Sequence, residues 1–342
     1  MLAAVYQVDY YGNLSPQLLR AVPFDLKLDQ DETGALKYWS RQADNFILYN
    51  NDETDNWQQV SFRRVPAPAK SPVKLLLYSN KPESISQSGV LYKRDNVSGN
   101  FRLLFYHMNA GDDDGVLYVS IKPGQNRPFY YTAGIGGPDP SGIYVGRVIA
   151  RTLFKEPNCG YLMNQNLERS YEIKKSYVFG GIIDVFPLNE SVTYDVSVTF
   201  CFNNDMKDEA EKKYNRQSGD LYRYHEIVTG VPLTNGNKLY NIVIGQDKFL
   251  QHNTKTLDGN YGVNHRYEIF FPSAGIYGMY LTPNGGPAGL VFKLDEKVYE
   301  YYASQDIFLM DIIVDFPQTK VLETFPLPGS NYPVTITLKK KK

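Results

Sequence analysis

The stretch Val192–Phe202, VTYDVSVTFCF, decides the fold class of this chain. Its even-numbered residues are all apolar, and its odd-numbered residues are Thr, Asp, Ser, Thr and Cys. Successive side chains of a β-strand point to opposite faces, so this alternation predicts an antiparallel strand with one solvated face. The same alternation occurs in YVSIKPG (118–124), HRYEIFFP (265–272) and YPVTITLKK (332–340), each beside a Gly, Pro or Asn turn signal. FRLLFYHM (101–108) is apolar on both faces, which indicates a central strand. The sequence therefore predicts an all-β protein.

Three pairs of similar segments occur in the same order in both halves of the chain. VSGNFRLLFYHMN (97–109) pairs with LDGNYGVNHRYEI (257–269), GIGGPDPSG (134–142) with PNGGPAGLV (283–291), and VFPLNESVTYDVSV (185–198) with TFPLPGSNYPVTITL (324–338). An ordered set of repeats indicates duplication of one structural unit. We therefore predict two related antiparallel β-sandwiches, immunoglobulin-like or jelly-roll-like, as a tandem duplication.

The domain boundaries follow from these repeats and from changes in composition. Residues 1–71 are predicted to be N-terminal accessory strands, 72–203 the first sandwich, and 236–342 the second sandwich with a basic tail. Residues 204–235 are predicted to be a charged linker with a short helix, because Asp205–Asn215 carries charged residues at helical spacing and almost no apolar face.

Composition restricts the choice of partners. The 36 basic and 37 acidic residues give no general positive field, so nucleic acid is not an expected partner. No apolar run is long enough for a membrane-spanning helix, and the N-terminus does not resemble a signal peptide. We expect a soluble chain, or one from which an export signal has been removed. Tyrosine is abundant, at 28 of 342 residues, as is typical of half-buried positions on sheets and of carbohydrate-facing surfaces.

GIGGPDPSGIYVGR, Gly134–Arg147, is the most glycine-dense stretch and invites comparison with a phosphate-binding loop. Pro138 and Pro140 remove backbone donors that a dinucleotide site needs, and Gly142 is followed by Ile143 rather than by the lysine of a Walker loop. A turn between two strands is the favoured interpretation.

Catalytic and metal sites have little support in the sequence. The chain has no nucleophile elbow and only four scattered histidines, so we expect no enzyme activity and no cofactor. Asp112, Asp113 and Asp114 are candidate calcium ligands, although a solvated hairpin turn is the favoured interpretation. Cys159 and Cys201 are a candidate disulfide if the protein is exported.

Aromatic clusters are the remaining candidates for a ligand site. A ring platform for stacking on sugars is the functional interpretation, and cross-strand packing within the sandwiches is the alternative. The candidate platform residues are Tyr130, Tyr131, Tyr144, Tyr299, Tyr301, Trp39 and Trp57.

Several segments together resemble a module of exported cell-surface proteins from Gram-positive Firmicutes. They are SISQSGVLYKRDNVSGNFRLLFYHMN (84–109), GIGGPDPSGIYVGR (134–147), LDGNYGVNHRYEIFF (257–271), PNGGPAGLVF (283–292) and PLPGSNYPVTITL (326–338). Those proteins are labelled as carrying copper-amine-oxidase-like stalk domains or S-layer homology domains. The resemblance spans about Leu75 to Leu338 and implies a β-rich, non-catalytic module at the cell wall or surface. It implies no copper chemistry, because the chain has no cluster of three histidines.

These observations lead to three hypotheses of function. The first is a non-catalytic extracellular protein with a structural or adhesive role in a surface layer or filament, whose partners are copies of itself. The second is a carbohydrate-binding module for a cell-wall or environmental polysaccharide. The third, a glycan-active enzyme, requires two carboxylates facing one cleft.

Overall fold

The computed structural model describes this chain in segments. Backbone and side chains are described for residues 73–124, 127, 129–154, 166–189, 191–202, 205, 207–212, 220–234, 239–247 and 257–341. Backbone alone is described for the helix and strand residues 2–8, 14–23, 36–42, 45–51, 57–63, 155, 161–163, 213, 215–217, 251–252 and 255–256.

The N-terminal section forms strands, as predicted. One antiparallel pair and one three-stranded antiparallel sheet are present. Their strands are β1 Leu2–Val8 and β2 Leu14–Pro23 in the pair, and β3 Leu36–Gln42, β4 Asn45–Asn51 and β5 Trp57–Arg63 in the sheet.

The next section of the chain forms a sandwich of two sheets. Its elements are β6 Leu75–Ser79, β7 Ser84–Ile85, β8 Gly89–Ser98, β9 Phe101–Asn109, β10 Gly115–Pro123, β11 Phe129–Asp139, α1 Gly142–Lys155, β12 Tyr161–Met163, β13 Leu167–Ile173, β14 Val178–Pro187, β15 Thr193–Phe202, α2 Lys207–Lys213, β16 Asn215–Gln217 and β17 Asp220–Arg223. One sheet has the order β13-β10-β15-β8-β16 and the other β12-β11-β14-β9-β6-β17, with β7 beside β9. A cluster of buried aliphatic and aromatic side chains from both sheets fills the space between them.

The last section of the chain forms a second sandwich. Its elements are β18 Ile227–Pro232, β19 Leu239–Ile244, β20 Gln251–His252, β21 Lys255–Thr256, a 3₁₀ turn Asp258–Asn260, β22 His265–Phe271, β23 Gly275–Pro283, β24 Ala288–Leu294, β25 Lys297–Ala303, β26 Ile307–Val314, β27 Gln318–Thr324 and β28 Val334–Lys340. The sheet orders are β18-β22-β27-β24-β25 and β19-β28-β23-β26, and a second buried cluster lies between these sheets.

The two sandwiches have the same topology. The order β13-β10-β15-β8 corresponds strand by strand to β26-β23-β28-β19, and β12-β11-β14-β9-β6 corresponds to β25-β24-β27-β22-β18. The two sandwiches also share a parallel pair, because β6 pairs parallel to β9 and β18 pairs parallel to β22. The first sandwich has two further parallel pairs, β7 with β9 and β16 with β8. The prediction of an all-β chain with two related sandwiches is therefore confirmed.

The structure separates true repeats from a false one. Gly99 and Gly259 precede the equivalent strands β9 and β22, and the two Phe-Pro-Leu segments lie at the ends of the equivalent strands β14 and β27. Phe186 and Pro187 are the last residues of β14, and Phe325 directly follows β27. The pairing of GIGGPDPSG with PNGGPAGLV was wrong: Gly134–Asp139 lies within β11, whereas 284–287 is the turn between β23 and β24. A better repeat went unrecognised in the sequence. The equivalent strands β10 and β23, GVLYVSIKP and GIYGMYLTP, both begin with Gly and end with Pro.

The strand that decided the fold class is β15, and its burial follows the predicted alternation in its first half. Tyr194, Val196 and Val198 are buried, while Asp195 is exposed. Beyond Val198 both faces are buried, because α2 packs across β15 and β8 there. Segment 204–235, predicted as a linker with a short helix, holds this helix and also β16, β17 and β18, which pair with strands of both sandwiches.

Helix α1 was not predicted from the sequence. The interpretation of Gly134–Arg147 as a turn between strands was wrong, because β11 continues through Asp139 and α1 begins at Gly142. Ser141 caps this helix, since its Oγ accepts the backbone N–H of Tyr144 at 3.4 Å. The buried side chains Val145 and Ile149 lie at helical spacing, yet β-branched residues favour strands in the absence of tertiary contacts.

Helix α1 joins the two sandwiches. It is inserted between β11 and β12 of the first sandwich, at the position where the second sandwich has a tight turn at Asp295–Glu296 between β24 and β25. The helix packs against β11 and β14 on one side and β24 and β25 on the other. Buried residues of both sandwiches and of α1 form a third apolar cluster around it.

Candidate functional site

The structure brings few of the predicted platform residues to the surface. Tyr131 was wrong as a platform residue, because it is buried in the first sandwich core, where its hydroxyl accepts a hydrogen bond from the Arg169 guanidinium at 3.4 Å. Tyr130 is half-buried on the opposite face of β11. Tyr144 is exposed at the start of α1, with the Arg147 guanidinium 5.8 Å from its ring centre.

Tyr299 and Tyr301 project to one face of β25, as their spacing predicts. That face points into the second sandwich, because both rings stack on buried Phe292. The centre of the Phe292 ring lies 5.3 Å from that of Tyr299 and 6.0 Å from that of Tyr301. The Tyr301 hydroxyl donates to the backbone carbonyl of Leu309 at 3.0 Å. Cross-strand packing, the alternative interpretation, accounts for this pair. Trp39 and Trp57 belong to β3 and β5, and their side chains lie outside the described residues.

Asp112, Asp113 and Asp114 form a hydrogen-bonded turn between β9 and β10. The Asp112 carboxylate pairs with the Lys175 ammonium at 3.0 Å, and Asp114 accepts the backbone N–H of Lys175 at 2.9 Å. Asn109 donates its side-chain amide to the Asp113 carbonyl. In the described part of the chain no three His, Cys, Asp or Glu side chains come together as ligands for a metal ion. Calcium binding at these residues stays a prediction.

The disulfide stays a prediction. Cys201 is buried in β15, on the face that α2 covers. Cys159 lies outside the described residues.

A serine and a histidine in the first sandwich have the contacts of a nucleophile and its base. Ser79 Oγ lies 3.0 Å from His107 Nε2, and His107 Nδ1 lies 2.8 Å from the Pro82 carbonyl oxygen. A carbonyl can only accept, so Nδ1 carries the proton and Nε2 accepts from the Ser79 hydroxyl. Both side chains are at most 1% exposed, so no substrate reaches the hydroxyl. This pair satisfies buried polar groups and has no catalytic geometry toward solvent.

Arg102 is the centre of a polar network between the sandwiches. Its guanidinium makes a bidentate pair with Asp184 of the neighbouring strand, at 2.6 and 2.8 Å. The same group donates to Asn264 Oδ1 at 2.9 Å and to the Gly262 carbonyl at 2.5 Å, both from the second sandwich. Tyr224, from the connecting segment, completes the network with its hydroxyl 3.3 Å away. Burial alone would lower the Arg102 pKa, but the Asp184 carboxylate raises it, so the group stays charged.

Glu300 makes a second polar connection between the sandwiches. This residue of β25 pairs with two arginines of α1, Arg147 at 3.3 Å and Arg151 at 3.2 Å. Together with the third apolar cluster, these contacts fix the helix on both sandwiches.

The outer face of the sheet β19-β28-β23-β26 exposes both apolar and polar side chains. Ile276 and Ile313 oppose each other and are 42% and 67% exposed, and Phe308, 49% exposed, opposes half-buried Tyr280. The two rings have centres 5.4 Å apart. The polar members of this face are Asn241, Thr282, Asp311, Thr335, Thr337, Lys339 and Lys341. Exposed Leu239 and Val243 of β19 belong to the same face. We call all of these residues, with Gly278, the outer face of the second sandwich.

His265 is a buried histidine whose protonation couples to stability. Its Nδ1 lies 3.1 Å from the Tyr267 hydroxyl and 3.7 Å from the Asp247 carboxylate, and in the described part of the chain its Nε2 has no partner. Burial lowers the pKa of His265 from 6.5 to about 4. Between these values the unfolded chain binds a proton that the folded chain does not, so stability falls as pH drops.

We expect the free energy of unfolding to lose about 2 kcal/mol between about pH 7 and pH 5 through this histidine alone. The measurement is urea unfolding at both pH values for the wild type and for His265→Asn. The matched control is His225→Asn, which changes an exposed histidine and shows whether the loss of stability at low pH belongs to the buried ring of His265. A His265→Asn variant with the wild-type pH dependence would contradict the assignment.

Comparisons with known proteins do not assign this chain to a family. No family model matches the sequence, and no curated protein matches it. Among solved structures the chain is similar to the N-terminal CBM22-1-CBM22-2 tandem domain of Xyn10C from Paenibacillus barcinonensis, with 6% sequence identity and a TM-score of 0.16. The alignment covers 75% of this chain and 91% of that one. Neither helix of the described residues is long and apolar enough to cross a membrane. The function is therefore inferred from the fold and from the chemistry of the surface.

Proposed function

We propose that this chain is a non-catalytic extracellular protein of the cell surface with a structural or adhesive role. The observation that carries the proposal is the joint between the two sandwiches, in which Arg102 and α1 are each fastened to both units. Neighbouring domains move relative to each other unless their interface is large and apolar. A buried apolar cluster lined by a charged network meets that condition.

A fixed pair of sandwiches suits a protein that transmits force or presents a surface. Catalysis needs accessible reactive groups, whereas the Ser79–His107 pair is closed off from solvent. A joint that keeps two repeated units at one angle instead gives regular spacing when copies assemble or when the chain projects from a wall. The resemblance to exported surface proteins supports the same location.

Fractionation of the cells that make this protein tests the proposal. We expect the native protein in the wall or culture fraction, and we expect protease added to intact cells to remove it. A cytosolic protein of similar abundance is the matched control, because it must survive the same protease treatment. Recovery of the protein only from the cytosol would overturn the proposal.

The outer face of the second sandwich favours a second candidate function, binding of a polysaccharide. Its exposed rings, hydroxyls and amides match the apolar faces and hydroxyl groups of sugars. Retention on insoluble polysaccharides separates this candidate from a purely structural role, since a structural protein passes through unretarded.

A further inference from the structure

We infer that the outer face of the second sandwich binds an acidic polysaccharide, with Tyr280 supplying the stacking ring and Lys339 the positive charge. This inference rests on the second candidate function. It assigns a site that shares no residue with the aromatic clusters singled out in the sequence.

Gly278 lies at the centre of this face and lets the Tyr280 ring lie across the sheet. Across the sheet Gly278 lies between Lys339 on β28 and Asp311 on β26, and in the next row Tyr280 lies between Thr337 and Phe308. Because Gly278 has no side chain, the Tyr280 ring and the end of the Lys341 side chain fill the space above it, where a Cβ atom would lie 3.0 Å from Tyr280 Cε2 and 2.8 Å from Lys341 Cε. Four strands give this face a width of about 14 Å.

Charge on the face favours an anion. Lys341 is occupied, because its ammonium pairs with Asp311 at 2.6 Å and lies 4.4 Å from the Phe308 ring centre. Lys339 is exposed and has no carboxylate partner among the described residues. Lys339, which is paired with Gly278 across the two strands, therefore offers an ammonium group that has no counter-charge in the described part of the chain.

Hydroxyl and amide groups beside the rings favour a sugar over a purely apolar partner. The Thr337 hydroxyl donates to Asn241 Oδ1 at 2.9 Å, and Asn241 is exposed. A protein or lipid partner would gain most from a continuous apolar surface, whereas here Gly278, the threonines and the lysines interrupt the apolar pairs. Alternating apolar and polar groups match a carbohydrate that carries carboxylates.

Comparison with the first sandwich shows that this face is differently used in the two repeats. In the first sandwich the residue equivalent to Tyr280 is Ser120, which is buried. The residue equivalent to Gly278 is Tyr118, and the Lys207 ammonium of α2 lies 5.2 Å from the centre of the Tyr118 ring. Helix α2 covers the sheet there. In the second sandwich the same face is exposed, so the duplication has left one copy closed and the other available for a ligand.

Affinity electrophoresis through gels that contain sodium polygalacturonate tests the inference, with fully methyl-esterified polygalacturonate as the uncharged counterpart. We expect retardation by the acid form and little by the ester. Tyr280→Ala should weaken binding about tenfold, as loss of a central aromatic contact typically does. Lys339→Ala should weaken it less and remove most of its salt dependence.

Two matched variants lie on β25, in the other sheet of the same sandwich. Tyr302→Ala removes an exposed tyrosine, and Lys297→Ala removes an exposed lysine. Both should bind as the wild type does, and thermal melting of all four variants checks that they fold. If both Tyr280→Ala and Lys339→Ala were retarded as strongly as the wild type, the assigned site would be wrong, although the protein would still bind the polysaccharide. Equal retardation by ester and acid would overturn the acidic ligand, and no retention on any polysaccharide would overturn the second candidate function as well.

Discussion

Replacing Arg102 with methionine is expected to lower the free energy of unfolding by about 3–5 kcal/mol, because it leaves the Asp184 carboxylate buried without its counter-charge. The side chains of this pair are 5% and 11% exposed, so water cannot substitute for the lost guanidinium. The same change removes the donors to Gly262 and Asn264, and with them one of the two polar connections described between the sandwiches. Urea unfolding followed by tyrosine fluorescence measures the loss.

Two further variants separate the charge from the packing. Arg102→Met combined with Asp184→Leu should recover most of the stability, since an apolar pair of similar volume replaces the ion pair. Lys122→Ala breaks a surface pair with Glu168 whose side chains are about half exposed, and it should change the free energy of unfolding by about 1 kcal/mol or less. If Arg102→Met were as mild as Lys122→Ala, the network would not be what holds the sandwiches together.

The fold class could be predicted because two-residue periodicity is local. In β22 and β28 the apolar side of the pattern is the buried side, as the alternation requires. FRLLFYHM, apolar on both faces, became the central strand β9, with β14 and β6 as its neighbours. The relation between the sandwiches was visible wherever the turns repeat, at Gly99 with Gly259 and at the two Phe-Pro-Leu segments.

The joint could not be predicted, because its signals depend on the partner surface. Helix α1 carries β-branched residues at Val145, Val148 and Ile149, and its stability comes from packing between two sheets. Arg102 lies in a mostly apolar strand, and its position in the sequence does not indicate a partner 160 residues away, at Gly262.

The aromatic candidates failed for a related reason. The two-residue periodicity of a strand places Tyr299 and Tyr301 on the same face. It does not indicate whether that face is exposed to solvent, and in the structure both rings pack on Phe292. The face that is exposed carries Tyr280 and Phe308, which lie far apart in the sequence. A signal for it was present, because the repeat GVLYVSIKP and GIYGMYLTP shows Ser120 exchanged for a tyrosine.

Gly134 and Gly136 allow helix α1 to pack closely against β11. A larger side chain at Gly136 is therefore expected to lower stability strongly. A side chain at Gly136 would meet the Val145 carbonyl of α1 and lie 3.0 Å from Ile149 Cγ1, and one at Gly134 would meet the Ile149 carbonyl. Backbone atoms of a packed helix cannot give way locally. Gly136→Val is therefore expected to lower the free energy of unfolding by about 3 kcal/mol.

The matched control is Gly230→Val in β18, where an added side chain meets nothing within 4 Å. Valine favours strands, so this change should be neutral or slightly stabilising. Urea unfolding of both variants and of the wild type measures the difference, and equal stability of the two variants would contradict a tight contact between β11 and α1.

Since α1 also lies on β24 and β25, a helix displaced by the added valine side chain must shift against the second sandwich too. The loss in Gly136→Val should therefore include interface energy, and combining it with Arg102→Met should destabilise the protein by less than the sum of the two single effects.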